Sequence, residues 1–162
     1  MNPENSFGDI HAKDNLALFI DGAARGNPGP SGIGIYLTQN NTDLIKKGFF
    51  IGVKTNNQAE YLALLVGLLY SRKYITAEKH IDIYTDSQLL VRQLLGEYRV
   101  KNPMLLKLFR QVQIVLNDLN YKICHIFREK NKQADKLAND GIDKQHDLPD
   151  PIKRYLSEKE LL

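Results

Sequence analysis

The chain has one cysteine, no tryptophan and no apolar run long enough to cross a membrane. A lone thiol excludes an internal disulfide, and Cys124 lies in the apolar-leaning run YKICHIF, which predicts a buried structural thiol without a catalytic role. The first fourteen residues, MNPENSFGDIHAKD, lack the basic start and apolar stretch of a secretory signal. Residues 1–14 therefore read as a flexible N-terminal extension, and the expectation is a cytoplasmic protein with no membrane association. Neither sign of charge dominates: 22 Lys and Arg against 19 Asp and Glu leave a formal +3. That balance fits a polyanionic partner and fits ordinary solubility equally well. Internal repeats and low-complexity segments are missing too.

What remains is the mixture of a globular protein, with 43% hydrophobic and 25% charged residues over 162 positions, enough for a single domain. Residues 16–21, LALFID, are apolar up to the aspartate and predict a strand buried on both faces. A stretch rich in Gly and Pro (22–32) leads into two further strands, 32–39 and 44–53, joined by the turn Asn40-Asn41-Thr42-Asp43. From Asn57 the apolar spacing becomes helical (Ala59, Leu62, Ala63, Val66, Leu69, Tyr70), with Asn56 or Asn57 as N-cap and Glu60 in the first turn. A strand at 80–85 precedes a helix capped by Ser87 and running to about Gly96. Another helix follows from about Pro103 to Asn117, then a fifth strand in YKICHIF and a closing helix in NKQADKLANDGI. Strand-helix-strand crossovers make strands 1, 4 and 5 parallel, so the expected fold is α/β, a five-stranded mixed sheet with an antiparallel meander of strands 1–3. The domain is expected to span 15–144, with 145–162 as a C-terminal tail whose docking is left open.

Four carboxylates stand where this reading places element starts, ends or turns: Asp21, Glu60, Asp86 and Asp135. In an open sheet with parallel strands, ligands bind beyond the carboxyl ends of those strands. Four acids gathered there repel unless a cation neutralises them, and an all-oxygen set suits Mg²⁺ or Mn²⁺. Structural roles stay open for three of them, because Asp86 could cap a helix and Glu60 and Asp135 could simply favour helix N-termini. Asp21 is harder to explain that way, since an aspartate following LALFI in a buried strand is costly unless paired or metal-bound. The run GAARGNPGPSG is not a P-loop, for it lacks the Lys-Ser/Thr ending and leads into a strand. Its glycines let backbone amides and Asn27 approach a ligand closely.

Taken together, DGAARGNPGPSGIG, TNNQAEYLAL, YTDSQLL and NKQADKLA, in this order over about residues 15–143, resemble the type 1 ribonuclease H family. The resemblance implies hydrolysis of the RNA strand of an RNA/DNA hybrid by two Mg²⁺ or Mn²⁺ ions, leaving 5′-phosphate and 3′-hydroxyl ends. It makes Asp21 and Asp86 shared ligands of two ions about 3.5–4 Å apart, Glu60 a ligand nearer the leaving group and Asp135 a ligand beside the attacking water. By the same resemblance Arg25, Gly26, Asn27, Asn56, Asn57 and Gln88 line the RNA strand, and Thr55 and Asn56 meet a phosphate of the DNA strand. The asparagines could instead merely cap a helix, and Gln88 could be a solvated surface residue. No obligate protein partner is implied, and a monomer is expected.

Two departures from the family pattern matter. Many bacterial members carry a histidine in a loop before the last helix; here that segment is REKNKQ, short and without histidine, as in archaeal-type members. Arg128 takes that place as an auxiliary residue able to contact phosphate or product, though a permanently protonated guanidinium is no general base. A solvated arginine beside Lys130 and Lys132 is the competing reading, and His125 is expected to be a strand residue. The tryptophan-rich basic protrusion of some relatives is also absent. Hybrid affinity then rests on core residues such as Arg25, Lys54, Arg92, Arg99, Lys101 and Arg128, with strong salt sensitivity. Two other functions stay open: a non-catalytic nucleic-acid-binding module of the same fold, and a nuclease that also cuts double-stranded RNA.

Overall fold

The computed structural model describes residues 15–162; the N-terminal segment, expected to be a flexible extension, lies outside the described residues. Strands β1 (Leu16–Ala24), β2 (Gly29–Gln39) and β3 (Thr42–Lys54) form an antiparallel meander. The β2–β3 turn is tighter than the four-residue expectation. Asn40 and Asn41 both adopt positive φ, 51° and 60°, the twist a two-residue hairpin needs, so Thr42 and Asp43 join the ladder. Helix α1 (Asn56–Ser71) leads to β4 (Ile81–Thr85), and α2 (Gln88–Leu94) with α3 (Pro103–Leu116) to β5 (Tyr121–His125). β4 pairs parallel with both β1 and β5, giving the order β3-β2-β1-β4-β5. This is the five-stranded mixed sheet that the crossovers imply. Helix α4 (Lys132–Lys144) and helix α5 (Asp150–Glu158) complete the chain.

Register shows how the faces are used. Leu16, Leu18 and Ile20 are fully buried under α1, whose own residues from Ala59 to Val66 are almost all buried, with only Glu60 keeping an opening. The opposite face of β1, carrying Asp21, lies level with Gly34 of β2. A Cβ at Gly34 would fall 1.9 Å from the Ala134 carbonyl oxygen, so glycine there lets the α4 backbone rest directly on the sheet. The expectation that β1 is buried on both faces needs correction. α4 covers only the glycine-rich half, and Phe19 stays half-buried between the rings of Tyr84 (4.8 Å) and Tyr36 (5.7 Å). Cys124 is likewise only half-buried, because β5 is an edge strand.

The C-terminal segment packs on the domain. Leu148, Leu156 and Leu161 are buried within the hydrophobic core cluster. The Tyr155 hydroxyl donates to Gln111 Oε1 at 3.1 Å, and Lys107 Nζ donates to Glu160 Oε2 at 2.7 Å. No helix among the described residues is long and apolar enough to cross a membrane.

Candidate active site

The parallel strands β1 and β4 present their carboxyl ends to one edge, and the acids arrive there from four elements. Asp21 is part of β1, buried at 5% exposure. Asp86 follows directly on Thr85, at a bend where Ser87 N–H donates to Thr85 Oγ1 at 3.1 Å and Ser87 Oγ caps α2 by accepting from Leu90 N–H. Glu60 comes from α1, one residue past its first turn and not within it. The cap of that helix is Thr55, neither Asn56 nor Asn57. Thr55 Oγ1 accepts from Gln58 N–H at 3.2 Å and Gln58 Oε1 accepts from Thr55 N–H at 2.8 Å, a reciprocal capping box. Asp135 lies in the first turn of α4.

Close backbone contact sets Glu60 against Asp21. A Cβ on Gly22 would fall 2.3 Å from the Ala59 carbonyl carbon, so only glycine lets α1 approach β1 this far, and Gly22 N–H donates to Glu60 Oε2 at 3.1 Å. One carboxylate oxygen each of Asp21, Glu60 and Asp86 lies within 4.8 Å of the others. Asp135 lies outside that triad but lines the same cavity, near enough for its charge to act on Asp21. Burial, then the charges of Asp86 and Asp135, push Asp21 up to about 8. Glu60 is held well above the ordinary carboxylate range by burial and by the charges of Asp21 and Asp86, against the opposing Gly22 hydrogen bond. Such a cluster is unfavourable by itself and favourable around a cation. Its all-oxygen donors fit a hard divalent ion. The acids line a cavity of about 300 Å³ together with Arg25 and Arg128. A larger hollow of about 1030 Å³ opens at the other end of the sheet near His80 and Asn120, and among the described residues no convergent acid set lines it.

Residues 19–141 match the model of the reverse transcriptase-like family. A ribonuclease H of Pseudomonas putida is 30% identical over 148 residues, covering 80% of this chain and 95% of the relative. The chain belongs to the ribonuclease H family. A bifunctional protein of Mycobacterium tuberculosis is 40% identical over 133 residues, 79% of this chain, which spans only 35% of that relative's length. Among solved structures similar to this ribonuclease H fold, LC11-RNase H1 in complex with an RNA/DNA hybrid superposes with a TM-score of 0.76. It shares 37% identity over 80% of this chain and 98% of its own.

Ribonucleases H are metal-dependent, and the acidic triad for that chemistry is present. Of the other residues expected at a ribonuclease H site, Arg25, Asn56 and Arg128 line the cavity, and Gly26, Asn27, Thr55, Asn57 and Gln88 are not among its lining residues. Asn56 Oδ1 accepts from Ala24 N–H at 3.2 Å and Asn56 N–H donates to Asn27 Oδ1 at 3.0 Å, which ties the α1 start to the loop after β1. Arg25 and Gly26 are exposed in that loop, and Arg25 Nη1 donates to Asp143 Oδ1 of α4 at 2.6 Å. Asn57 and Gln88 are exposed at the N-terminal ends of α1 and α2. Arg128 Nη2 stands 3.5 Å from Asp135 Oδ1, with 78% of its side chain exposed, whereas His125 is an exposed residue at the end of the edge strand.

One residue escaped the sequence reading. Asn131 is 1% exposed, and its Nδ2 donates to the Ile20 carbonyl at 2.9 Å and to Asp86 Oδ1 at 3.4 Å. The only signal for it is an asparagine just before KQAD, which reads as an ordinary helix cap.

Proposed function

We propose that this ribonuclease H hydrolyses the RNA strand of an RNA/DNA hybrid, leaving 5′-phosphate and 3′-hydroxyl ends. The observation that carries the reading is the convergence of Asp21, Glu60 and Asp86 to within 4.8 Å at the carboxyl end of the parallel strands. Two divalent ions, Mg²⁺ or Mn²⁺, held by these three acids and Asp135, would supply an activated water and stabilise charge on the departing 3′ oxygen.

The rest of the work falls to the chain's own groups. The Gly22 N–H holds one oxygen of Glu60, a residue that lines the cavity. Arg128, beside Asp135, holds a phosphate or the leaving product by charge-assisted hydrogen bonds and takes no proton. Arg25, Gly26, Asn27, Asn56, Asn57 and Gln88 form the surface for the RNA strand, whose 2′-hydroxyls distinguish it from DNA. Thr55 and Asn56, at the N-terminus of α1, receive a phosphate of the DNA strand. The catalytic unit in this reading is residues 15–144 and acts as a monomer.

The test is a hybrid labelled on each strand in turn. Cutting confined to the RNA strand, with fragments whose 5′ ends a phosphate-requiring exonuclease degrades, supports the reading. Intact RNA under conditions where the hybrid is bound counts against it.

A further inference from the structure

We propose that Asn131 is a positioning residue that sets the spacing of the catalytic acids. It stands at the N-cap position of α4, yet its side chain makes no capping hydrogen bond. The amide is turned away from the helix instead and buried at 1% exposure behind the carboxylates. Both neighbours of its nitrogen are acceptors, the Ile20 carbonyl at 2.9 Å and Asp86 Oδ1 at 3.4 Å, so the amide orientation is settled by chemistry. Its Oδ1 is the one buried side-chain polar atom without a partner among the described residues. A buried orphan acceptor is a cost, retained here alongside the two contacts of the nitrogen.

Those two contacts, with the backbone carbonyl of Asn131, reach three of the four acids. Ile20 precedes Asp21 in β1, so holding its carbonyl fixes the backbone from which Asp21 projects. Asp86 is held directly. The Asn131 backbone carbonyl accepts from Asp135 N–H at 3.1 Å, which starts the turn that carries Asp135. One residue thus links β1, the bend after β4 and the first turn of α4. Partners that orient metal-ligating carboxylates in this way change metal affinity or activity by about 10- to 100-fold when removed.

The inference rests on the proposed function, and its test separates the two. Asn131→Ala removes the amide, and Asn131→Asp keeps its shape and its capacity to cap a helix but loses the donor. Each full-length variant is compared with the unsubstituted chain in two measurements. The first is the rise in Tm produced by Mn²⁺ alone, titrated without nucleic acid; the second is the steady-state cleavage of a hybrid. The expected result is a Mn²⁺ midpoint raised about tenfold in both variants, with kcat lowered about tenfold or more and KM for the hybrid within about twofold. A folded variant of either kind with both midpoint and kcat within about twofold of the unsubstituted chain overturns the proposal, as does Asn131→Asp behaving normally where Asn131→Ala fails. Should both fail to fold, Asn131→Ser takes their place under the same thresholds, and loss of folding in all three also overturns it, because a positioning residue leaves the core standing. If the unsubstituted chain cuts no hybrid, the proposed function falls, while the Mn²⁺ titration still decides the role of Asn131.

Discussion

Asp21 carries a strong electrostatic conflict. It is buried, with Asp86 and Asp135 beside it, and without a cation its carboxyl is pushed up to about 8 from 3.8. In that window the folded chain holds a proton that the unfolded chain releases, so stability falls as pH rises from about 4 to about 8. Glu60, shifted in the same direction, adds to the slope. Other acids, such as Asp143 beside Arg25, are shifted down and act in the opposite sense, so the comparison must be between chains. Asp21→Asn is expected to raise the Tm in EDTA at pH 8 by ~2–4 °C, equivalent to about 1 kcal/mol, and to flatten its fall between pH 5 and pH 8. Calorimetry of both proteins checks this, and parallel pH profiles would contradict it. The conflict at Asp21 was legible in the sequence, because an acid ending LALFI has few structural excuses. Asn131 was not legible, because an asparagine before a helix has an ordinary use as a cap, and only in the folded chain is its side chain seen turned elsewhere.

At the scale of elements, distances between backbones decide where the acids stand. α4 lies on the sheet because Gly34 and Gly48 offer no side chain; a Cβ at either would fall 1.9 Å from a carbonyl oxygen of α4. Gly34→Ala is expected to cost about 1–3 kcal/mol and to displace Asp135, lowering the cleavage rate beyond what the loss of folded protein explains. Tm and kcat measured on the folded fraction test both parts, and an unchanged Tm would mean that the helix shifts freely. Most elements were readable from periodicity, and their ends less so. Asn56 or Asn57 read as the cap of α1, yet Thr55 takes that role, because tertiary partners decide it: Ala24 and Asn27 engage Asn56, leaving Thr55 to pair with Gln58. Glu60 falls one residue past the first turn for the same reason.

For the whole molecule, the crossover rules led from the order of elements to parallel β1, β4 and β5, and with them to the edge where the site lies. The docking of the last segment could not be read, since Leu148, Leu156 and Leu161 show no common period and find their places only against a formed core. Leu156→Ala is expected to cost about 2–4 kcal/mol while leaving the chemistry of the remaining folded protein intact. A Tm unchanged by that substitution would mean that the segment contributes nothing to stability. In the proposed function, exposed Arg99 and Lys101, with Arg25 and Arg128 at the cavity, are expected to meet the phosphates of the hybrid, which would make binding steeply dependent on salt.

A metal-dependent cleavage site built on Asp21 can be tested with matched labelled RNA/DNA, RNA/RNA and DNA/DNA duplexes incubated in Mg²⁺, Mn²⁺ or EDTA, with Asp21→Asn run beside the unsubstituted chain. Cutting of the RNA strand of the hybrid is expected in either metal, none in EDTA, and a loss of roughly a thousandfold or more on substitution. Hybrid bound but uncut in both metals, or Asp21→Asn cutting at the unsubstituted rate, would contradict it.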